Sequence, residues 1–128
     1  MYGVEWLVEA FDCSEVVLRD RGALDGLFRA VVRELRLHPV GRPVWHQFPD
    51  AGGITGFWLL QESHLAIHTF PEFRSACLNL FCCSARAPWD WPARLGHWLG
   101  AGSVCVREQP RGHAAVRTRL PETTHAHD

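Results

Sequence analysis

The residues best equipped for chemistry gather in one short stretch, GFWLLQESHLAIHTFPEF, residues 56–73. Inside an otherwise apolar ribbon it sets Glu62, Ser63 and His64 side by side, with His68 and Glu72 further on. A second reactive group, Cys83, follows in NLFCCS. A serine hydroxyl is a poor nucleophile until a base takes its proton. His68 is of a type that can do so, and Cys83 offers a further acid–base or nucleophilic group. Two other readings stay open on the residues alone. Ser63, His64 and His68 could be polar groups of a sheet that find hydrogen-bond partners, as buried polar groups do. His64 and His68 also have the i, i+4 spacing of a helical zinc motif. Against metal, Ile67, Thr69 and Pro71 disfavour a helix, and Leu65 stands where that motif carries glutamate. No metal site is expected. Nothing resembles G-x-S-x-G, so a nucleophile elbow is not supported.

The elements that must position these groups are written in hydrophobic periodicity. Val4, Trp6, Val8 and Ala10 alternate with Glu5, Leu7, Glu9 and Phe11, which predicts a strand. Leu24, Leu27, Phe28, Val31, Val32 and Leu35 fall at helical spacing with Asp25, Arg29, Arg33 and Arg36 on the other face, and Pro39, Gly41 and Pro43 end that helix. Strands are expected over 44–48, 54–61 and 65–69, with PDAGG as a turn. Cys77, Asn79, Phe81 and Cys83 alternate with Ala76, Leu78, Leu80 and Cys82, which predicts another strand with Cys82 and Cys83 on opposite faces. PWDWPARLGHWLGAG reads as a short helix closed by glycine, and 103–108 as a last strand. The sum is an α+β fold, a two-layer α/β sandwich with helices on one face of a largely antiparallel sheet. Residues 1–110 are expected to form a single domain, and the polar residues 111–128 a disordered tail.

At 128 residues the chain suits one domain with a real core. A net charge of −1 gives no electrostatic case for nucleic acid or an anionic membrane as partner. The chain has no lysine, which removes a lysine Schiff base from the possible mechanisms. No apolar run is long enough to span a bilayer, and MYGVEWLVEA lacks the order of a signal peptide. Five cysteines, an odd number, argue against a full disulfide framework and for a reducing cytoplasm.

The string GITGFWLLQESHLAIHTFPE, followed by NLFCCS, resembles the bacterial and archaeal S-adenosylmethionine decarboxylases, pyruvoyl enzymes of polyamine synthesis. GVEWLVEAFDC is similar to the family's first strand and turn, and PWDWPARLGHWLGAGSVCVRE to its last helix and strand, so the resemblance covers roughly residues 3–110. It implies a proenzyme that cleaves itself between Glu62 and Ser63. Ser63 Oγ attacks the Glu62 carbonyl, the amide becomes an ester, and elimination leaves a covalent pyruvoyl cofactor derived from Ser63. That ketone forms a Schiff base with the substrate and acts as an electron sink during decarboxylation. The resemblance also implies that His68 assists processing, that Cys83 protonates the product and that Glu72 holds ribose hydroxyls. Thr55 stands where the family usually has a serine that helps processing. Pro49 occupies the purine-stacking position with Phe48 beside it, Phe70 stands where tryptophan is common, and Asn79 where aspartate is common. A small-molecule substrate and a homodimer with shared active sites are implied as well. Relatives acting on arginine or ornithine provide an alternative substrate. An unprocessed, non-catalytic paralogue is a third reading, against which intact Glu62, Ser63, His68 and Cys83 argue.

Overall fold

Alternating apolar residues force a sheet with one buried face, and the amphipathic helices have to cover it. The computed structural model describes residues 3–83, 88–112 and 117–122. In chain order it runs β1 (Gly3–Phe11), α1 (Glu15–Leu18), α2 (Arg21–Glu34), β2 (Val44–Gln47), β3 (Ile54–Leu60), β4 (Ser63–Phe70), β5 (Ser75–Cys82), α3 (Trp91–Leu99) and β6 (Ser103–Arg111). A single 3-10 turn, Pro71–Phe73, links β4 to β5. The six strands lie in the order β2-β3-β4-β5-β1-β6, and every neighbouring pair is antiparallel. This is the expected two-layer α+β sandwich.

The helices begin and end where short polar residues and glycine allow. Asp20 caps α2 by accepting from the Ala23 N–H, and Asp90 caps α3 by accepting from the Ala93 N–H. Gly100, at φ 67°, closes α3 in the left-handed region that glycine enters without strain. Helix α2 buries Leu24, Leu27, Phe28, Ala30 and Val31. Beneath them lie Trp6, Val8 and Ala10 of β1, Ile54, Trp58 and Leu60 of β3, Leu65 and Ile67 of β4, and Leu78 and Leu80 of β5.

Three aromatic rings lock helix to sheet: the Phe28 centroid is 4.7 Å from Trp45 and 6.4 Å from Trp58. Gly56 makes this possible. It faces Trp45 across the β2–β3 pair, and a Cβ there would lie 2.2 Å from the indole ring. Thr69 is the buried polar residue of the core; its hydroxyl donates to the Leu18 carbonyl at 2.8 Å and accepts from the Ile54 N–H at 2.9 Å. That pair of bonds ties α1 to two strands and leaves the hydroxyl satisfied.

Some boundaries differ from the sequence expectation. The short helix α1 follows a turn that gives too few residues for a periodic signal. Strand β6 runs on to Arg111 because β1 offers it partners as far as Gly3. Of the expected tail, residues 113–116 and 123–128 lie outside the described residues, and 117–122 contain neither helix nor strand. No helix among the described residues is long and apolar enough to cross a membrane.

Candidate active site

Strands β3 and β4 form a hairpin in which Leu60 pairs with Ser63, so Gln61 and Glu62 are its two-residue loop. The Glu62–Ser63 bond therefore sits at the mouth of a tight turn, with Glu62 exposed. Ser63 pairs on its other side with Cys82. The loop is braced from outside. The Gln61 N–H donates to the His38 carbonyl at 2.8 Å, the Val40 N–H to the Leu59 carbonyl at 2.9 Å, and Pro39 bridges Leu60. A cavity of about 240 Å³ opens here, lined by Leu37, His38, Gln61, Glu62, Ser63, Cys82 and Cys83. The structure thus brings Ser63 and Cys83 together. Strand alternation predicted Cys82 and Cys83 on opposite faces, but β5 ends at Cys82. Cys83 lies beyond the last pleat and is exposed, Cys82 is buried, and both line the cavity.

The remaining predicted residues gather at the far end of the same hairpin. Thr55 pairs with His68, and Thr55 Oγ1 lies 3.1 Å from His68 Nδ1. A second cavity, of about 440 Å³, is lined there by Phe48, Pro49, Asp50, Thr55, His68, Phe70 and Glu72. Phe48 and Pro49 both reach it, and the Phe48 ring stands edge-on to His46 with centroids 4.6 Å apart. Ser63 and His68 are five residues apart on β4. At about 3.4 Å per residue that separates them by roughly 17 Å. They also differ in face. Ser63 shares the helix-covered side with Leu65 and Ile67, whereas His68 has the parity of the open side. Within this chain the predicted constellation is therefore two clusters.

Between the clusters, the open side carries a polar chain set in aromatic rings. His64 is stacked between Phe57, at 5.6 Å, and Phe81, at 5.8 Å. Its Nε2 is 3.0 Å from Asn79 Oδ1, and Asn79 Nδ2 donates to Glu5 Oε2 at 2.5 Å. Because a carboxylate only accepts, the Asn79 amide nitrogen must face Glu5, and His64 Nε2 must carry the hydrogen. Arg111 completes the chain with an ion pair to Glu5 and lies over the Phe81 ring at 5.9 Å. The Asn79 hydrogen bond, aided by Arg111 and opposed by burial, holds the Glu5 carboxyl below its usual range. His64 is thus a satisfied polar group of the sheet, the plainest of the three readings open to it.

The sequence profile described as S-adenosylmethionine decarboxylase matches residues 4–112. This chain belongs to the S-adenosylmethionine decarboxylase family. It is 33% identical over 108 residues to the S-adenosylmethionine decarboxylase proenzyme of Clostridium tetani, which covers 83% of each chain. It is 33% identical over 107 residues to that of Syntrophomonas wolfei, again covering 83% of each. The solved adenosylmethionine decarboxylase from Aquifex aeolicus superposes with a TM-score of 0.72 over 93% of this chain and 98% of the other; at 19% identity the likeness is one of fold. S-adenosylmethionine decarboxylases of this family are pyruvoyl-dependent carboxy-lyases of polyamine biosynthesis. They are made as proenzymes, and self-cleavage at an internal serine generates the pyruvoyl group.

Proposed function

We propose that this family member makes its pyruvoyl group from Ser63, by breaking the Glu62–Ser63 bond, and uses it to decarboxylate S-adenosylmethionine. The observation that carries the reading is the placement of Ser63. It is the first residue of β4, directly after a two-residue loop, and its cavity also holds Cys83. Strand pairing on both flanks of the hairpin fixes the Ser63 backbone, and restricting the approach of a hydroxyl to a neighbouring carbonyl can supply a large part of the rate of an intramolecular attack. Once formed, the pyruvoyl group supplies an electron sink for loss of the substrate carboxylate. Cys83, at the same cavity, is placed to give a proton to the product carbon.

The second cluster suits recognition. The Glu72 carboxylate can accept hydrogen bonds from ribose hydroxyls. Phe48 and Phe70 offer faces to a purine or to a sulfonium, which is attracted to aromatic rings as other cations are. The Thr55–His68 pair supports the processing role that the family pattern gives both residues.

Two clusters roughly 17 Å apart on one strand complete a single site if they come from two protomers. A two-fold stacking of open faces, with the β4 strands antiparallel, lays the Ser63 end of one protomer over the His68 end of its partner, an isologous contact; Ser63 faces the covered side, but its bond to Glu62 lies at the exposed hairpin loop, on the rim of the sheet, where a partner can meet it. Phe57 and Leu59, on the open side, are 43% and 51% exposed and would be covered. The reading is therefore a homodimer with shared active sites. A cytoplasmic setting is supported by the cysteines, which form no disulfide among the described residues.

Intact-mass spectrometry tests the processing step. Purified protein should show residues 1–62 and a second chain, 63–128, with a blocked N-terminus, and Ser63→Ala should remain whole. Carbon dioxide release should then be far faster with S-adenosylmethionine than with arginine or ornithine. A full-length species that persists on long incubation would overturn the reading, and a preference for either amino acid would overturn its substrate.

A further inference from the structure

We infer that His38 is the base that moves the proton when Ser63 attacks Glu62. This rests on the assignment of Ser63 as the processing serine. Helix α2 ends at Glu34; Arg36 then turns through φ 55° and Leu37 tucks back into the core, its N–H donating to the Val32 carbonyl at 2.9 Å. The chain leaves this turn as a short extended segment alongside the end of β3. There the His38 carbonyl accepts from Gln61, the residue that precedes Glu62, at 2.8 Å. The backbone of His38 is thus anchored to the loop that contains the bond to be cut, and His38 lines the cavity that holds Ser63.

The other groups lining that cavity are poorer candidates. Leu37 and Gln61 have no proton to exchange, the Cys82 thiol is packed into the core, Cys83 is assigned to the later step, and the Glu62 carboxylate belongs to the residue under attack. A carboxylate is also ordinarily a weaker base than imidazole by about two pKa units. His68 is roughly 17 Å away along its own strand, so it reaches this bond from a partner protomer. His38 lines the Ser63 cavity within the single chain.

The step balances without any added reagent. His38 accepts the proton of Ser63 Oγ as the oxygen bonds to the Glu62 carbonyl carbon. The carbon–nitrogen bond of Glu62–Ser63 then breaks, and the protonated imidazole returns the proton to the departing nitrogen. An amide and an alcohol become an ester and an amine, with no net change in protons.

The test follows processing of freshly translated, pulse-labelled proenzyme across a pH series. His38→Ala should slow the appearance of the 63–128 chain by about a hundred- to ten-thousand-fold. It should also flatten the pH dependence of cleavage, and added imidazole should restore part of the rate. His38→Asn repeats the measurement with a polar side chain if alanine disturbs the segment, and thermal melting of each variant reports folding. Cleavage of both variants at the wild-type rate and pH profile would overturn the inference, while Ser63→Ala remaining uncut would leave the processing assignment standing. Slower cleavage with an unchanged pH profile and no imidazole rescue would also overturn it, because His38 would then only brace the loop. Cleavage of Ser63→Ala would instead overturn the assignment on which the inference rests.

Discussion

If one site is built from two protomers, two individually inactive variants should repair each other. The suitable pair is Cys83→Ala, in the Ser63 cluster, and Glu72→Ala, in the His68 cluster, since neither residue is needed to break the Glu62–Ser63 bond. Each homodimer then carries two damaged sites. Loss of a general acid costs about a hundred- to ten-thousand-fold in rate, so the Cys83→Ala dimer should be close to silent. In a mixed dimer the two substitutions fall in the same site, and the other site is wild type throughout. Random assembly of equal amounts gives about half mixed dimers, each with one working site of two, so the mixture should reach about one quarter of wild-type activity. Mixed dimers isolated through two different affinity tags should reach about one half. The assay is carbon dioxide release from co-expressed, fully processed protein. The roughly 17 Å between Ser63 and His68 along β4 makes the outcome decisive. Activity no greater than the sum of the two parents would mean that each site is completed within one chain, and the shared-site reasoning would fall.

Three further outcomes follow from the packing and the cysteines. Cys83→Ala should process normally yet decarboxylate about a hundred- to ten-thousand-fold more slowly, whereas Cys82→Ala should mainly lower the melting temperature, because Cys82 is buried in the core beside Ser63, its partner across β4 and β5. Gly56→Ala should destabilise the fold by about 1–3 kcal/mol in urea denaturation, because the new methyl group would overlap the Trp45 ring. Burial, with a smaller contribution from Asp12, pushes the Cys13 thiol up to about 11 from an ordinary 9.0. The folded state keeps that proton between pH 9.0 and about 11 while the unfolded chain loses it, so stability should be full below this window and fall as pH rises through it; Cys13→Ala should lose that slope in alkaline melting curves.

Much of the fold was legible because its signals are local. The alternation in GVEWLVEAF, the helical spacing from Leu24 to Leu35 and the Asp–glycine punctuation around α3 each lie within a few turns or pleats of chain. What could not be read was distance across the sheet. His68 looks close to Ser63 in sequence, but an extended strand carries it away, and period two puts it on the other face. The end of β5 at Cys82 rather than Cys83 depends on where β1 and β4 stop offering partners, which no window around NLFCCS contains. His38 was invisible for a related reason. In RLHPVGRP it reads as part of a helix ending, and only the backbone pairing with Leu59–Gln61 brings it to the cavity.

The strand order has a consequence for the history of the molecule. A cut at Glu62–Ser63 assigns β1, β2 and β3 to one chain and β4, β5 and β6 to the other. In the sheet, β1 lies between β5 and β6, and β3 lies beside β4. The two products are therefore interleaved like the fingers of clasped hands, and neither can leave without tearing three strand ladders, β3–β4, β5–β1 and β1–β6, and opening the core between them. Folding must come first, while the pieces are still tethered at high effective concentration. After the cut, regaining the same sheet becomes a second-order encounter that slows with dilution. The mature protein would then persist through the slowness of its coming apart rather than through its ability to form again.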